Sequence, residues 1–161
     1  MRPEIDIIIP SCKTTKELSG LVEEIMRNST GAFELIMAAN PDFSAAKNRN
    51  AGLSSSTAPY IIMMDDDITG LYPGWNEELI KPLKIFSAIS VVSARLMRKD
   101  GKFAAMMGSR YRIGQEFEEV PKTPTVCVAF LQTLYRFDEN FMGSGFEDDA
   151  FCLAMGPEIV I

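Results

Sequence analysis

The stretch Ala58-Pro59-Tyr60-Ile61-Ile62-Met63-Met64-Asp65-Asp66-Asp67-Ile68 reads as a buried strand that runs directly into three consecutive carboxylates. Its apolar run is continuous rather than alternating, which fits a central strand covered on both faces, as in parallel sheets. In open α/β sheets the ligand crevice lies outside the carboxyl ends of the strands, so a triple Asp there stands where chemistry is usually done. Three adjacent carboxylates repel one another, and a partly buried charge is costly unless it is paired or coordinates a metal. Alternate residues of an extended chain point the same way, so Asp65 and Asp67 can share one cation while Asp66 faces elsewhere. Hard oxygen ligands favour Mg2+ or Mn2+. The plainer role for such acids is to cap the next helix or solvate a turn; a second acidic cluster further along the chain weighs against it.

Ahead of this strand, Ile5 to Pro10 forms a short strand that stops at proline, followed by a polar loop from Ser11 to Thr15. Leu18, Leu21, Val22, Ile25 and Met26 then fall at helical spacing, with Thr14 or Thr15 as N-cap and Asn28 to Gly31 as the stop. Phe33 to Met37 is a second strand, which makes the opening β-α-β and the domain a layered α/β structure. Ser44 caps a second helix, Ala45 to about Ser54, that crowds Lys47, Asn48, Arg49 and Asn50 into one turn. Asparagine is a mediocre helix former, so this turn is either a solvated face or a surface for phosphate or nucleotide oxygens.

Beyond the aspartates, a helix from about Trp75 carries Leu79, Ile80 and Leu83 on one face, and Ala88 to Ala94 is a fourth strand. Asp100-Gly101 signals a turn, and Gly108 to Pro124 is expected to be a long loop. Thr125 to Tyr135 is strand-like. The second cluster, Gly143-Ser144-Gly145-Phe146-Glu147-Asp148-Asp149, opens a short helix to Met155, and Ile159 to Ile161 is a terminal strand. Acids in a first helical turn complement the helix dipole; they can equally present a general base where glycines such as Gly145 let a substrate approach the backbone.

Bulk properties narrow the chemistry. At 161 residues, 47% hydrophobic and 24% charged, the chain is one globular domain by length and composition. It holds no histidine, which excludes a Ser-His-Asp triad, a Cys-His pair and histidine zinc sites; carboxylates must carry any acid-base work. Cys12, Cys127 and Cys152 are scattered and odd in number, arguing for buried thiols rather than a disulfide framework or a thiolate zinc site. A net charge of −6 disfavours broad nucleic-acid binding. No apolar run approaches the ~20 residues of a transmembrane helix, and the N-terminus lacks a signal-peptide layout, so the expected address is cytoplasmic.

Taken together, a strand ending in proline, then AAKNRNAGL (45–53), YIIMMDDDI (60–68), YPGW (72–75) and FDENFMGSGFEDDAFCLA (137–154) resemble the family-2 glycosyltransferases, from about Ile5 to Leu153. The resemblance implies a GT-A fold, a Rossmann-like three-layer α/β/α domain with a central, mostly parallel sheet. It divides the single domain into a nucleotide-sugar-binding half over residues 1–94 and an acceptor-binding and catalytic half over 95–161, ending before a region the family often adds. It implies that Asp65 and Asp67 match the family's DxD and hold Mn2+ or Mg2+ against the donor diphosphate, while Asp66 touches the ribose or sugar. Pro10, Ser11 and Asn40 match positions lining the nucleoside pocket, and Lys47 and Asn48 the polar pair facing the donor. Glu147-Asp148 matches the ED motif, whose aspartate is the base. Trp75 and Phe146, with Gly145, are candidates for the acceptor side, the two aromatics reading equally as core residues.

The activity so implied is metal-dependent, inverting transfer from a nucleoside-diphosphate sugar, a UDP-sugar first among them, to a hydroxyl of a glycan, lipid-linked, protein or other acceptor. The family often places an acid after the second strand where this chain has Asn40 and Asp42, and a basic residue after the ED helix where Ala154 and Met155 stand. Two other readings compete. Asp65-x-Asp67-x-Thr69 after a strand is also the pattern of haloacid-dehalogenase-like phosphatases, with Asp65 as nucleophile and Asp67 as acid-base. A non-catalytic sugar-nucleotide-binding module is the other.

Overall fold

The computed structural model describes residues 2–97, 100–101, 118–120, 125–141, 146–156 and 158–160. In chain order the elements are β1 (Ile5–Ser11), α1 (Ser19–Asn28), β2 (Phe33–Ala39), α2 (Ala45–Ser55), β3 (Tyr60–Met64), α3 (Trp75–Ile85), β4 (Val91–Ser93), β5 (Glu118–Val120), β6 (Cys127–Leu131), α4 (Glu147–Met155) and β7 (Glu158–Val160). They form one seven-stranded sheet in the order β2-β1-β3-β6-β4-β7-β5. β1 pairs in parallel with both β2 and β3, whereas β6 is antiparallel to β3 and to β4. β7 is parallel to β4, and β5 antiparallel to β7.

Side-chain alternation along the strands divides the core into two layers. Ile5, Ile7, Ile9, Ile62 and Met64 pack with Leu21 and Ile25 of α1 and with Trp75, Leu79, Ile80 and Leu83 of α3. Ile8, Ile61 and Met63 face the other way, against Ala46 and Leu53 of α2 and Phe151 and Cys152 of α4. β3 is thus apolar on both faces, which explains its unbroken run, whereas β1 carries one buried carboxylate, Asp6, whose Oδ2 accepts from Ser56 Oγ, Thr57 N and Ala58 N. The three-layer α/β/α arrangement around a central sheet is the one expected from the sequence; the sheet is mixed, with three parallel and three antiparallel pairings.

Several details differ. Thr14 does not cap α1: the N-cap position is Leu18, without a side-chain bond. Thr14 instead caps the preceding turn, exchanging hydrogen bonds with Glu17. Met26 leaves the apolar stripe and is exposed. The expected fourth strand shortens to Val91–Ser93, and β5 lies within the span expected to be loop, where Glu118-Glu119 hides the strand signal. Gly101 adopts the left-handed backbone expected of an Asp-Gly turn, at φ 77°. Cys127 and Cys152 are buried as expected, but Cys12 is exposed. Among the described residues no helix is long and apolar enough to cross a membrane.

Candidate active site

The carboxyl ends of β1, β2 and β3 meet on one rim, and α2 ties them together. Ser44 caps α2 by accepting from Lys47 N, as its sequence position suggested. One turn in, Asn48 is buried, and its amide is used in full across two strand ends. Its Nδ2 donates to Ser11 O at 2.9 Å and to Asn40 O at 3.0 Å, while its Oδ1 accepts from Asn40 N at 3.1 Å. Pro10, Ser11, Asn40 and Asn48 are therefore brought together. Lys47 is not part of this group: it is exposed and lines a separate shallow groove with Phe43, Asn50 and Glu139.

Asp66 turns back toward β1. Ser11 Oγ donates to Asp66 Oδ2, and Lys13 Nζ contacts Asp66 Oδ1 at 2.6 Å. The same serine oxygen accepts from Lys13 N at 2.9 Å, closing a small network. The hydrogen bond to Asp66 holds the Lys13 ammonium above its ordinary pKa. The chain has left β3 and entered a turn at Asp66, so these contacts, and not strand alternation, direct its carboxylate toward β1.

Asp65 and Asp67 lie close enough for their charges to interact. Asp65 N donates to Val126 O at 2.8 Å, which fixes the strand end against the segment entering β6. Burial pushes the Asp65 carboxyl up to about 6; Arg49 opposes the shift and the charges of Asp67 and Asp66 add to it. Asp67 is exposed. Among the described residues no three acidic, thiol or imidazole groups converge closely enough to hold a metal by themselves. Two neighbouring carboxylates with excess negative charge do fit Mg2+ or Mn2+, ions held by one or two protein carboxylates with phosphates and waters completing the shell. Asp65 and Asp67 are the residues that would hold such an ion.

Arg49 joins this end to the second acidic cluster. The residue is 7% exposed. Its NH1 pairs with Glu147 Oε1 at 2.5 Å, and its NH2 reaches Asp65 Oδ1 at 3.5 Å. The guanidinium also lies 5.3 Å from the ring centre of Phe137, which stacks on Phe151 of α4. Two clusters eighty residues apart in the chain therefore share one cation. Glu147 is buried by this pairing, whereas Asp148 is only half-buried and accepts from Asp149 N at 2.9 Å. Asn50 completes the helix's grip: it donates to Phe137 O and Glu139 Oε1 and accepts from Phe137 N, pinning the segment that leads toward α4.

Of the acceptor-side candidates, Phe146 is 71% exposed at the start of α4, with a left-handed backbone at φ 69°. Trp75 is 4% exposed, its indole donating to Ser29 Oγ at 3.1 Å, and it contributes to the wall of the cleft beside Asp67. Gly145 lies outside the described residues. Beside Asp67 a cleft of about 1020 Å³ opens between α3 and the end of β4, lined largely by apolar residues including Leu71, Pro82 and Leu96.

Lys13 was not singled out from sequence, and Arg49 and Asn50 only as members of the polar turn of α2. For Arg49 and Asn50 the available signal was the oddity of α2, a helix with no apolar stripe in which Asn48, Arg49 and Asn50 proved buried.

A sheet of this topology, with acidic groups from β3 and α4 converging at the carboxyl ends of its strands, defines a glycosyltransferase domain of the GT-A class. Residues 7–146 match the model of glycosyl transferase family 2, and the chain belongs to that family. This places it with the glycosyltransferases rather than the phosphatases whose Asp-x-Asp-x-Thr pattern it shares. No curated protein matches the chain. Among solved structures it is similar to A197 from STIV, with 15% identity and a TM-score of 0.60 over all of this chain and 82% of that one. It is similar also to S. aureus TarS 1-349, with 12% identity and a TM-score of 0.63 over all of this chain and 58% of that one. TarS in complex with UDP-GlcNAc matches with the same identity and TM-score over 56% of its chain. The chain therefore spans just over half the length of the TarS structures, and the likeness is one of fold.

Proposed function

We propose that this domain moves a sugar from a nucleoside-diphosphate donor to an acceptor hydroxyl, with inversion at the anomeric carbon and a divalent cation at the donor end. The observation that carries the reading is Arg49, whose guanidinium reaches both Asp65 and Glu147 and so ties the two acidic motifs to one cationic side chain. Ser11, Asn40 and Asn48, with Pro10, form the wall for the nucleoside, and Asp66 meets the ribose or sugar. A UDP-sugar is the favoured donor, supported by the fold shared with a structure that holds UDP-GlcNAc.

In this mechanism the acceptor oxygen bonds to the anomeric carbon as the bond from that carbon to the diphosphate oxygen breaks. A Mn2+ or Mg2+ ion held by Asp65 and Asp67 would supply neutralisation of the charge developing on the departing diphosphate. Asp148 takes the acceptor's proton on Oδ2, its Oδ1 being engaged by Asp149 N. Glu147 does not compete for that role, because its carboxylate is buried against Arg49 and fixes the first turn of α4.

Asp148→Asn should cut transfer by ~100-fold or more while leaving UDP affinity by calorimetry close to the parent's. Parental turnover in that variant would put the base elsewhere. Nucleotide binding with neither transfer nor donor hydrolysis in the parent would mark a binding module instead.

A further inference from the structure

The loop that carries Asp67 is held from behind by α1. Residues 65–74 leave β3, pass Asp67 and enter α3 through two glycines in left-handed conformation, Gly70 at φ 84° and Gly74 at φ 82°. Such backbone angles shape the loop, but they do not fix its position against the sheet. That is done by side chains of α1. Glu24 Oε1 accepts from both Gly70 N and Leu71 N, each at 2.8 Å. One turn later, Asn28 Nδ2 donates to Leu71 O and Asn28 O accepts from Gly74 N, both at 2.8 Å. Glu24 and Asn28 are four residues apart and so share a helix face, which aligns them along the loop.

These tethers are unequal. A hydrogen bond to a charged acceptor is roughly twice as strong as one between neutral groups. Glu24 makes two of the stronger kind, and its contacts are the ones nearest to Asp67. Glu24 does not lie in the crevice; it acts through the backbone of residues three and four beyond Asp67.

We propose that Glu24 is a positioning residue for the donor end of the site: by anchoring Gly70 and Leu71 it sets where Asp67 stands relative to Asp65, and hence how the two carboxylates share one divalent cation. The proposal rests on the cation-binding reading of Asp65 and Asp67 given above.

The test compares Glu24→Ala, Glu24→Gln and, as a charge control, Glu23→Ala at the exposed neighbouring position. UDP affinity is measured by calorimetry with and without Mn2+, alongside thermal stability, donor KM, kcat, and hydrogen exchange at Gly70 and Leu71. Removing groups that orient metal ligands commonly lowers metal affinity by about 10–100-fold, so Glu24→Ala should weaken Mn2+-dependent UDP binding by ~10-fold. It should leave Mn2+-free UDP affinity unchanged, raise KM more than it lowers kcat, and speed exchange at the two amides. Glu24→Gln keeps the acceptor oxygen without the charge and should fall between this variant and the parent; Glu23→Ala should match the parent.

If Glu24→Ala keeps parental Mn2+-dependent affinity while Asp67→Ala loses it, Glu24 has no positioning role although the cation reading stands. An equal loss of both affinities together with a fallen melting temperature would also overturn it, marking general stabilisation. UDP binding in the parent that ignores Mn2+ would remove the cation reading and this proposal with it. Should Glu24→Ala not fold, Glu24→Gln decides: a loss confined to Mn2+-dependent binding supports the role, and no loss overturns it.

Discussion

At the scale of single residues, Arg49 is the group on which the site depends. A buried ion pair adds little over a well-packed apolar pair, but removing one partner leaves an uncompensated charge. Glu147, at 2% exposure, would lose its Arg49 partner in Arg49→Met. We expect that substitution to cost about 3 kcal/mol in urea unfolding, and Arg49→Met/Glu147→Gln to recover a large part of it. Equal losses in the single and double variants would show that packing against Phe137, not the charge pair, holds the arginine. Asp65 offers a second measurement. Its folded pKa of about 6 stands above the ordinary 3.8, so the fold prefers the protonated form. The stability this contributes is complete below pH 3.8 and is lost as pH rises through about 6. In metal-free buffer Asp65→Asn should therefore melt with the parent at low pH and above it beyond pH 6, by an amount that solvent screening of the partly exposed carboxylate keeps modest. A melting difference that does not change across this range would show that Asp65 is not strained by its charge.

At the scale of elements, α2 does more than cover the sheet. Asn48, Arg49 and Asn50 each grip a different segment, and this needs the helix to lie close to β1. Gly52 makes that approach possible: a Cβ there would overlap Ile8 Cγ2, with Ala38 Cβ 3.4 Å away. In an exposed helix Gly→Ala gains up to about 1 kcal/mol, but overpacking a core costs about 1–3 kcal/mol. Ile8 is fully buried and cannot yield easily, so the clash should win. Gly52→Ala should lower the melting temperature and weaken nucleotide binding by lifting Asn48 from Ser11 and Asn40; a more stable variant with parental binding would refute the close-packing argument. The position of α2 was legible from Ser44 and the strands on either side. Its partners were not, because Arg49 and Glu147 are 98 residues apart and a local pattern cannot tell a buried arginine from a solvated one. The directions of the strands shared this limit. The unbroken run of β3 announced burial on both faces, but β6 is equally apolar and runs the opposite way. Asp65-Asp66-Asp67 could be read as a site because charge at the end of a buried strand is anomalous locally, without knowledge of any partner.

At the scale of the whole molecule, the antiparallel seam between β3 and β6 joins the three strands that carry the nucleoside wall to those that lead toward α4. Met64 and Cys127 face one another across it, one residue from Asp65. If the two acidic motifs are to act on one substrate, the halves on either side of this seam should unfold together. The cysteines report on that directly. Cys127 packs in the core layer under α1 and α3, and Cys152 in the layer under α2 and α4, while Cys12 is exposed. Burial, with the charge of Asp65, pushes the Cys127 thiol up to about 12, so it is protected both from solvent and from ionisation. A thiol reagent at pH 8 should therefore label Cys12 rapidly in the native protein and leave the other two unreacted. Along a urea gradient Cys127 and Cys152 should become reactive at one common midpoint, coincident with loss of circular dichroism, because the sheet between the two layers opens as a unit. Reaction of Cys127 at lower urea than Cys152 would mean that the β3–β6 seam parts first, and that the two acidic motifs sit on independently stable halves.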